Sequence, residues 1–244
     1  MRTASGPAGP RILIPGYPQW SWEQPERALV LFGSPGSGKG TQAKLLTQCL
    51  RVPHISTGDM LREAIRSGSN LGAAVVASMQ SGALVPDDVV NLLVWERLSA
   101  DDAANGFILD GYPRTLDQAN HLAAWLDARE IRQVVIHLAV DYNIIIARLT
   151  GRRQCPRCGT LYNVASQPPK VDELCDLDGQ KLLVRNDDSE AVIRQRLDAY
   201  HSQTRPVLDY YRTGESRIVE VDASHDPPEN VFGKICQAIK SHDR

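Results

Sequence analysis

The stretch Gly33-Ser34-Pro35-Gly36-Ser37-Gly38-Lys39-Gly40-Thr41 decides the fold of this chain. It follows the apolar run 28–32, which reads as a buried strand, and opens the segment 39–50, which has helical spacing. Glycines let successive backbone N–H groups turn inward without a Cβ in the way. A helix N-terminus adds partial positive charge at the same point, and the lysine adds a full charge. The stretch therefore predicts a phosphate-binding loop, formed by Gly36, Ser37, Gly38, Lys39, Gly40 and Thr41.

One position departs from the general phosphate-loop signature. Gly40 stands where serine or threonine normally follows the lysine, and Thr41 comes one place later. That hydroxyl usually contacts the magnesium ion directly. We therefore expect Mg²⁺ in this protein to be held partly through water.

Strands and helices alternate through the rest of the chain. The apolar strands predict a parallel five-stranded sheet covered by helices on both faces, an α/β fold of the P-loop NTPase type. The predicted strands are 28–32, 54–56, 107–109, 134–139 and 218–221. The predicted helices are 39–50, 58–66, 71–80, 87–98, 115–129, 142–149, 190–211 and 228–241. The segment 153–188 shows little periodicity and is interpreted as an insertion.

Composition excludes several classes of protein. The chain has 244 residues, 42% of them apolar and 23% charged, with a formal net charge of −2. This near-balance argues against a nucleic-acid binder that relies on a global positive field. No apolar run approaches the roughly 20 residues that a membrane span requires. We therefore expect no nucleic-acid partner and no membrane association.

The first 27 residues differ from the remainder. They contain Pro7, Pro10, Pro15 and Pro18 with several glycines, a density that opposes regular structure. An organellar transit peptide should be amphipathic and richer in arginine and serine. We interpret 1–27 as a disordered or surface-draped extension and the protein as cytoplasmic, while organellar targeting by the extension stays open as the alternative.

Acidic residues follow two of the predicted strands. Asp59 comes shortly after strand 54–56, and Asp110 directly follows strand 107–109. Carboxyl ends of strands are where ligands bind in open α/β sheets. The two carboxylates are therefore expected near the phosphates, with Mg²⁺ and its waters between them. The alternative is that each aspartate caps a helix.

Three of the five cysteines fall in the aperiodic segment. An odd count in a chain of this length favours a reducing compartment over a disulfide framework. Two short knuckles with a two-residue spacing suit a tetrahedral structural Zn²⁺ site, whose ligands would be Cys155, Cys158, Cys175 and Asp178. A disulfide or free thiols are the alternatives. Cys49 and Cys236 lie on apolar helix faces and are expected in the core.

The segments 33–41, 56–62 and 110–114 together resemble the nucleoside monophosphate kinases, and their details resemble the adenylate kinases over 28–240. The resemblance implies reversible transfer of the γ-phosphoryl group of MgATP to AMP, giving two ADP. It implies a P-loop core over 28–244, with a monophosphate-binding segment at 56–85 and a mobile lid at 152–188 inserted into it. Some adenylate kinase lids resemble the pattern of three cysteines and one aspartate. Nothing demands more than a monomer.

The resemblance also assigns expected roles to residues. Those expected around AMP are Thr57, Arg62, Ala83, Leu84, Val85, Gly111, Tyr112, Pro113, Arg114, Gln118, Arg185 and Arg196. ATP is expected to contact the phosphate-binding loop, Arg148, Arg152, Leu161 and Tyr162. The residues expected to act in catalysis are Lys39, Asp110, Arg114, Arg152, Arg185 and Arg196. Gln118 also fits on chemical grounds, because a side-chain amide can both donate and accept along a purine edge.

Two lid positions depart from the family pattern, and alternatives remain. Asn163 and Ser166 stand where the lid usually carries a histidine and an aromatic residue, which leaves the preference for the donor base open. A kinase for UMP, CMP or GMP is one alternative, although the long lid and Thr57 favour AMP. A zinc-knuckle nucleic-acid-binding ATPase is another, but the acidic residues around the knuckles oppose it.

Overall fold

The computed structural model describes residues 27–214 and 216–241. Apart from Arg27, the predicted N-terminal extension lies outside these residues. The strands are β1 Arg27–Phe32, β2 His54–Ser56, β3 Phe107–Asp110, β4 Arg132–Ala139, β5 Arg152–Gln154, β6 Leu161–Asn163 and β7 Arg217–Asp222. The α-helices are α1 Lys39–Leu50, α2 Thr57–Arg66, α3 Asn70–Ser81, α4 Asp87–Leu98, α5 Leu116–Asp127, α6 Tyr142–Thr150, α7 Glu190–Ala199, α8 Arg205–Thr213 and α9 Pro228–Ser241.

Five of the strands form a parallel sheet in the order β2-β3-β1-β4-β7. This confirms the predicted fold class. The phosphate-binding loop follows the central strand β1, whose neighbours are β3 and β4. The carboxyl ends of β1, β2 and β3 therefore meet at one edge of the sheet, which is where Asp110 lies.

Side chains of β1 alternate between two apolar layers. Ala28, Val30 and Phe32 belong to a core cluster shared with α2, α3, α4, α5 and α8. Leu29 and Leu31 belong to a second cluster, shared with α1 and α9. Each fully buried aliphatic side chain contributes about 1.5–3 kcal/mol of transfer free energy. A strand buried on both faces has to be apolar at every position, which explains the uninterrupted run in the sequence.

The segment between β2 and α4 forms a helical hairpin. Ser56 caps α2, since its hydroxyl accepts a hydrogen bond from the Asp59 N–H, and Ser69 caps α3 in the same way. The two helices cross so closely at Gly72 that a Cβ there would collide with the Ala64 carbonyl. A glycine is therefore required at this crossing.

One prediction from periodicity was wrong, and one segment contains structure that periodicity did not indicate. The segment 190–211 is not one α-helix, because a π-helical segment, Tyr200–Thr204, separates α7 from α8. Pro206 explains the break: it has no N–H, and its ring would clash with the carbonyl four residues earlier. The aperiodic insertion does contain regular structure, since β5 and β6 pair in an antiparallel two-stranded sheet. Strands of three residues are too short to give a period-2 signal.

Candidate active site

The carboxyl edge of the sheet opens into a cavity of about 790 Å³. The phosphate-binding loop, Asp110 and residues of the 152–188 segment all line it. A smaller cavity of about 50 Å³ shares several lining residues with it, among them Arg62, Gly111 and Arg114. Nearly all residues predicted from the sequence to contact nucleotides line one or both of these cavities.

Lys39 lies at the first position of α1, where the loop turns into the helix. Its Nζ donates hydrogen bonds of 2.8 Å to the carbonyl oxygens of Gly33 and Ser34. Burial lowers the pKa of Lys39 to about 8, although the nearby Asp110 carboxylate acts in the opposite direction. Among the described residues, no acidic side chain lies within ion-pair distance of this ammonium group. Lys39 is thus a half-buried cation whose charge is available to bind an anionic ligand.

Asp110 ends β3 beside the loop. His54 Nε2 on the neighbouring strand lies 3.2 Å from Asp110 Oδ2. Burial alone would raise the pKa of Asp110, but the His54 hydrogen bond and the Lys39 charge outweigh it, and the pKa lies below its ordinary value. Asp110 is therefore ionised at neutral pH. Sequence reasoning missed His54; the only available signal was a polar residue at the start of an otherwise buried strand.

Asp59 is placed differently from Asp110. It lines the large cavity, but its carboxylate is half-exposed and accepts a 2.6 Å hydrogen bond from Arg62. Burial alone would raise the pKa of Asp59, and the Arg62 guanidinium lowers it overall. Ser56, and not Asp59, caps α2. Both aspartates thus reach the cavity, and Asp110 is the more enclosed of the two.

Four arginines converge on two adjacent aspartates. Asp187 Oδ2 lies 2.8 Å from Arg185, 3.1 Å from Arg196 and 3.8 Å from Arg62. Burial opposes ionisation of Asp187, yet these guanidinium groups, that of Arg185 foremost, hold its pKa far below the usual range. Asp188 pairs with Arg152 and Arg196. These pairs link the 152–188 segment to α2 and α7.

Arg114 differs from those four arginines. Its Nε donates a 2.8 Å hydrogen bond to the carbonyl oxygen of Gly111, and burial lowers its pKa. No acidic side chain in the described part of the chain pairs with it. Gly111 has φ +78°, and a Cβ there would lie 2.8 Å from the Arg114 guanidinium. The tight turn after β3 thus places the Arg114 guanidinium, which has no carboxylate partner among the described residues, at the wall of the cavity.

The wall of the smaller cavity contains most of the predicted acceptor residues. Ala83, Leu84, Val85 and Gln118 line it, and the Thr57 hydroxyl donates a 2.8 Å hydrogen bond to Gly111 O. Tyr112 is the exception among the predicted residues. Its side chain is buried in the core, and its hydroxyl donates to Asn91 Oδ1 at 2.6 Å. The structure therefore does not bring the Tyr112 ring to either cavity.

The predicted donor residues also line the large cavity. Arg148 donates hydrogen bonds to the carbonyl oxygens of Ala223 and Ser224, at 2.7 and 3.1 Å. Leu161 and Tyr162 line the cavity from β6. The amide of Asn163 is occupied within its own turn, since it donates to Arg148 O and accepts from the N–H groups of residues 165 and 166. This residue stabilises the turn where the family usually has a histidine.

The four predicted metal ligands come together. The ligand atoms of Cys155, Cys158, Cys175 and Asp178 all lie within 4.8 Å of one another. The two knuckles match: the N–H of Cys155 donates to Thr160 O and that of Cys175 to Gln180 O, at 2.9 and 2.8 Å. Each knuckle ends at a glycine with positive φ, Gly159 and Gly179. Three thiol sulfurs and one carboxylate at this spacing fit tetrahedral Zn²⁺.

Cys49 is half-buried and Cys236 buried, both away from this cluster. No helix in the described ranges is long and apolar enough to cross a membrane.

Comparisons with known proteins agree with this geometry. The family model described as adenylate kinase matches residues 31–216. An adenylate kinase of Moorella thermoacetica is 49% identical over 201 residues, which cover 82% of this chain and 92% of that protein. One from Syntrophotalea carbinolica is 48% identical, over 81% and 92% of the two chains, and one from Methanocella arvoryzae is 46% identical, over 86% and 97%. The phosphate-binding loop, the converging arginines and these matches lead to one conclusion: the chain belongs to the adenylate kinase family.

Proposed function

We propose that this protein transfers the γ-phosphoryl group of MgATP reversibly to AMP, giving two ADP. The observation that carries the proposal is the pair of half-buried cations, Lys39 and Arg114, which line the cavities and have no carboxylate partner among the described residues. Removing an uncompensated charge from water is costly, so such groups are retained where an anion binds. Their position at the carboxyl edge of the sheet, beside the phosphate-binding loop, suits the phosphates of two nucleotides placed tail to tail.

Phosphoryl transfer requires alignment of the reacting oxygens and neutralisation of charge on the transferred group. Lys39 and the amides of Gly36, Ser37, Gly38, Gly40 and Thr41 would hold the donor phosphates. Arg114 and Arg62 would hold the phosphate of AMP, with Arg152, Arg185 and Arg196 around the transferred group. The AMP phosphate is already an anion at neutral pH, so the reaction needs no general base.

The ionised carboxylate of Asp110 fits a magnesium site. It is enclosed, lies near Lys39, and would bind Mg²⁺ largely through water, because Gly40 offers no hydroxyl. Asp59 would hold a further water at the rim. The ion would neutralise charge on the β- and γ-phosphates of ATP. The residues of the chain would supply the remaining orientation of the substrates.

The 56–85 and 152–188 segments supply arginines from two sides of the cavity. Closure of both over the substrates would exclude water, which is the competing acceptor. Thr57, Ala83, Leu84, Val85, Gly111, Pro113 and Gln118 would surround the AMP nucleoside, with Tyr112 contributing only backbone. Arg148, Leu161 and Tyr162 would lie against the donor nucleotide.

Zinc would be held by Cys155, Cys158, Cys175 and Asp178 in a structural role. Four protein ligands leave no open position for chemistry. The buried cluster of this segment consists of Cys155, Tyr162, Cys175 and Leu182. A cluster this small would not hold the segment together alone, so the metal would supply folding free energy. We further propose that the protein acts as a cytoplasmic monomer, with ATP, AMP and ADP as its partners and no nucleic acid.

Incubation of the purified protein with Mg²⁺ and ADP alone tests the proposal. Equal amounts of ATP and AMP are expected, and Lys39→Met is expected to abolish them, while Lys181→Met on the exposed lid surface has no effect. ADP that stays unchanged with the metal-replete protein would contradict the proposal. A panel of AMP, UMP, CMP and GMP with MgATP separates an adenylate kinase from the other monophosphate kinases.

A further inference from the structure

The side-chain amide of Gln118 is held at both of its ends. Its Oε1 accepts a 2.7 Å hydrogen bond from the backbone N–H of Arg114, and its Nε2 donates a 2.7 Å hydrogen bond to Asp87 Oδ1. Gln118 is 2% exposed and lines the smaller cavity. The amide is therefore fixed in one place in the wall of the cavity.

Asp87 is half-buried at the first position of α4 and takes no part in the roles assigned above. Its Oδ2 accepts a 2.6 Å hydrogen bond from the Thr115 hydroxyl, which in turn accepts from the N–H of Gln118 and caps α5. Both carboxylate oxygens thus act as acceptors. An ionised carboxylate can only accept, so Asp87 specifies where the NH₂ group of Gln118 must lie.

Rotation of the Gln118 amide by 180° would break both contacts. The carbonyl oxygen would then face the Asp87 carboxylate, and the NH₂ group would face the Arg114 N–H. Acceptor would then face acceptor and donor would face donor. Leaving buried polar groups without a hydrogen-bond partner costs free energy of folding. The orientation of the amide is consequently determined by Asp87 on one side and by the backbone on the other.

Each end of the amide retains one further hydrogen-bonding position, because a carbonyl oxygen has two lone pairs and an NH₂ group two protons. Adenine presents an amino group beside a ring nitrogen acceptor, whereas a 6-oxo purine presents a carbonyl oxygen at that carbon. We propose that Asp87 is a positioning residue that locks Gln118 and so makes the acceptor site selective for a 6-amino purine over a 6-oxo purine. This inference rests on the proposed function, since it assumes that AMP occupies the smaller cavity.

The test compares kcat/KM for AMP and for inosine monophosphate, which differ only at the base. In Asp87→Asn the side chain can turn either an acceptor or a donor toward Gln118, so only the Arg114 N–H still favours one orientation of the amide. The ratio of AMP to inosine monophosphate is expected to fall by at least about fivefold, the lower end of what one bidentate base contact contributes. Asp88→Asn, the neighbouring exposed acid in the same helical turn, is expected to leave the ratio unchanged and controls for the helix dipole.

A double-mutant cycle with Gln118→Ala distinguishes positioning from a general structural effect. If Asp87 acts through Gln118, Asp87→Asn will not lower the ratio further in the Gln118→Ala background. An equal fall in both backgrounds, or an unchanged ratio in folded Asp87→Asn, would overturn the inference. Asp87→Ser, which also both donates and accepts, provides the same test should Asp87→Asn not fold. If the wild-type protein is inactive on AMP, the proposed function is overturned as well. If the wild type prefers AMP and Asp87→Asn keeps the same ratio of AMP to inosine monophosphate, this inference alone is overturned.

Discussion

Arg152 and Asp188 join the two ends of the 152–188 segment. The Arg152 Nε donates a 2.7 Å hydrogen bond to Asp188 Oδ2, and its Nη2 donates to the other carboxylate oxygen. The side chain of Asp188 is 0% exposed and also lies 3.2 Å from Arg196. A bidentate pair of this kind is geometrically specific. Because Asp188 also contacts Arg196 of α7, the pair attaches both ends of the 152–188 segment to that helix.

We expect Asp188→Asn to destabilise the protein strongly. The substitution leaves two guanidinium groups facing a neutral side chain in a buried place, and breaking a buried pair costs about 3–5 kcal/mol. The free energy of unfolding from denaturant titration measures the effect. Asp102→Asn, which breaks an exposed pair with Arg97, should cost less than about 1 kcal/mol. Equal losses in the two variants would contradict the prediction.

Arg114→Ala should lower kcat without destabilising the fold. Removal of one preorganised donor to developing charge typically reduces kcat by about 10²–10³-fold. No carboxylate would be left unpaired, because Arg114 hydrogen-bonds to the Gly111 carbonyl. Steady-state kinetics with AMP and MgATP, together with thermal unfolding, check both parts. Arg97→Ala serves as the control, and an Arg114→Ala variant with wild-type turnover would refute the assignment.

The low pKa of Lys39 predicts proton uptake when ATP binds. With a pKa of about 8, the Lys39 amine of the free protein is largely neutral at about pH 9, where an ordinary lysine is still charged. The phosphates of ATP favour the ammonium form and raise the pKa again, so binding at about pH 9 should take up nearly one proton. Calorimetric titration with MgATP in buffers of different ionisation enthalpy measures the uptake. In Lys39→Arg, which stays charged, the uptake should disappear; persistence at the wild-type level would exclude Lys39 as its source.

Zinc content should depend on the fourth ligand. The purified protein is expected to contain one zinc per chain by elemental analysis, and Cys155→Ser is expected to lose most of it. Asp178→Cys should bind the metal more tightly, since thiolate is the softer ligand. Asp172→Ala, an exposed acid of the same segment, provides the control. Full zinc occupancy in Cys155→Ser would rule out the assigned ligand set.

Loss of the metal should also be visible in stability. Chelation is expected to lower the unfolding temperature and to abolish turnover, because the arginines of the lid segment would no longer be held over the substrates. Readdition of Zn²⁺ should restore both properties.

The sheet was predictable from the sequence because β1 is buried on both faces. A strand such as Leu29–Val30–Leu31 has no polar position, and the glycine loop that comes after it leads directly into a helix. The break at Tyr200–Thr204 was missed because apolar spacing continues across it, while Pro206 acts on the backbone alone. The signal was present in the sequence, but periodicity does not register a missing N–H group.

The candidate site was also predictable only in part. The cations were found because they lie in motifs, and the cysteines because their two-residue spacing is typical of a metal site. Asp87 and His54 were missed because each acts on another side chain, across a distance along the chain that no local pattern records. Gln118 was predicted to contact the purine edge, but its hydrogen bonds to Asp87 and to the Arg114 backbone were not predicted, because Asp87 becomes its neighbour only when α4 packs against α5.

The apolar cluster of the 152–188 segment contains two of the predicted metal ligands. It consists of Cys155, Cys175, Tyr162 and Leu182, while Val171 and Leu177 are exposed on the surface of the segment. The segment is joined to the rest of the chain by polar contacts that include Asn163 with Arg148 O, Asp187 with Arg62, and Asp188 with Arg196. Its outer surface can therefore diverge in sequence, provided that the knuckles and the residues of these contacts are retained together.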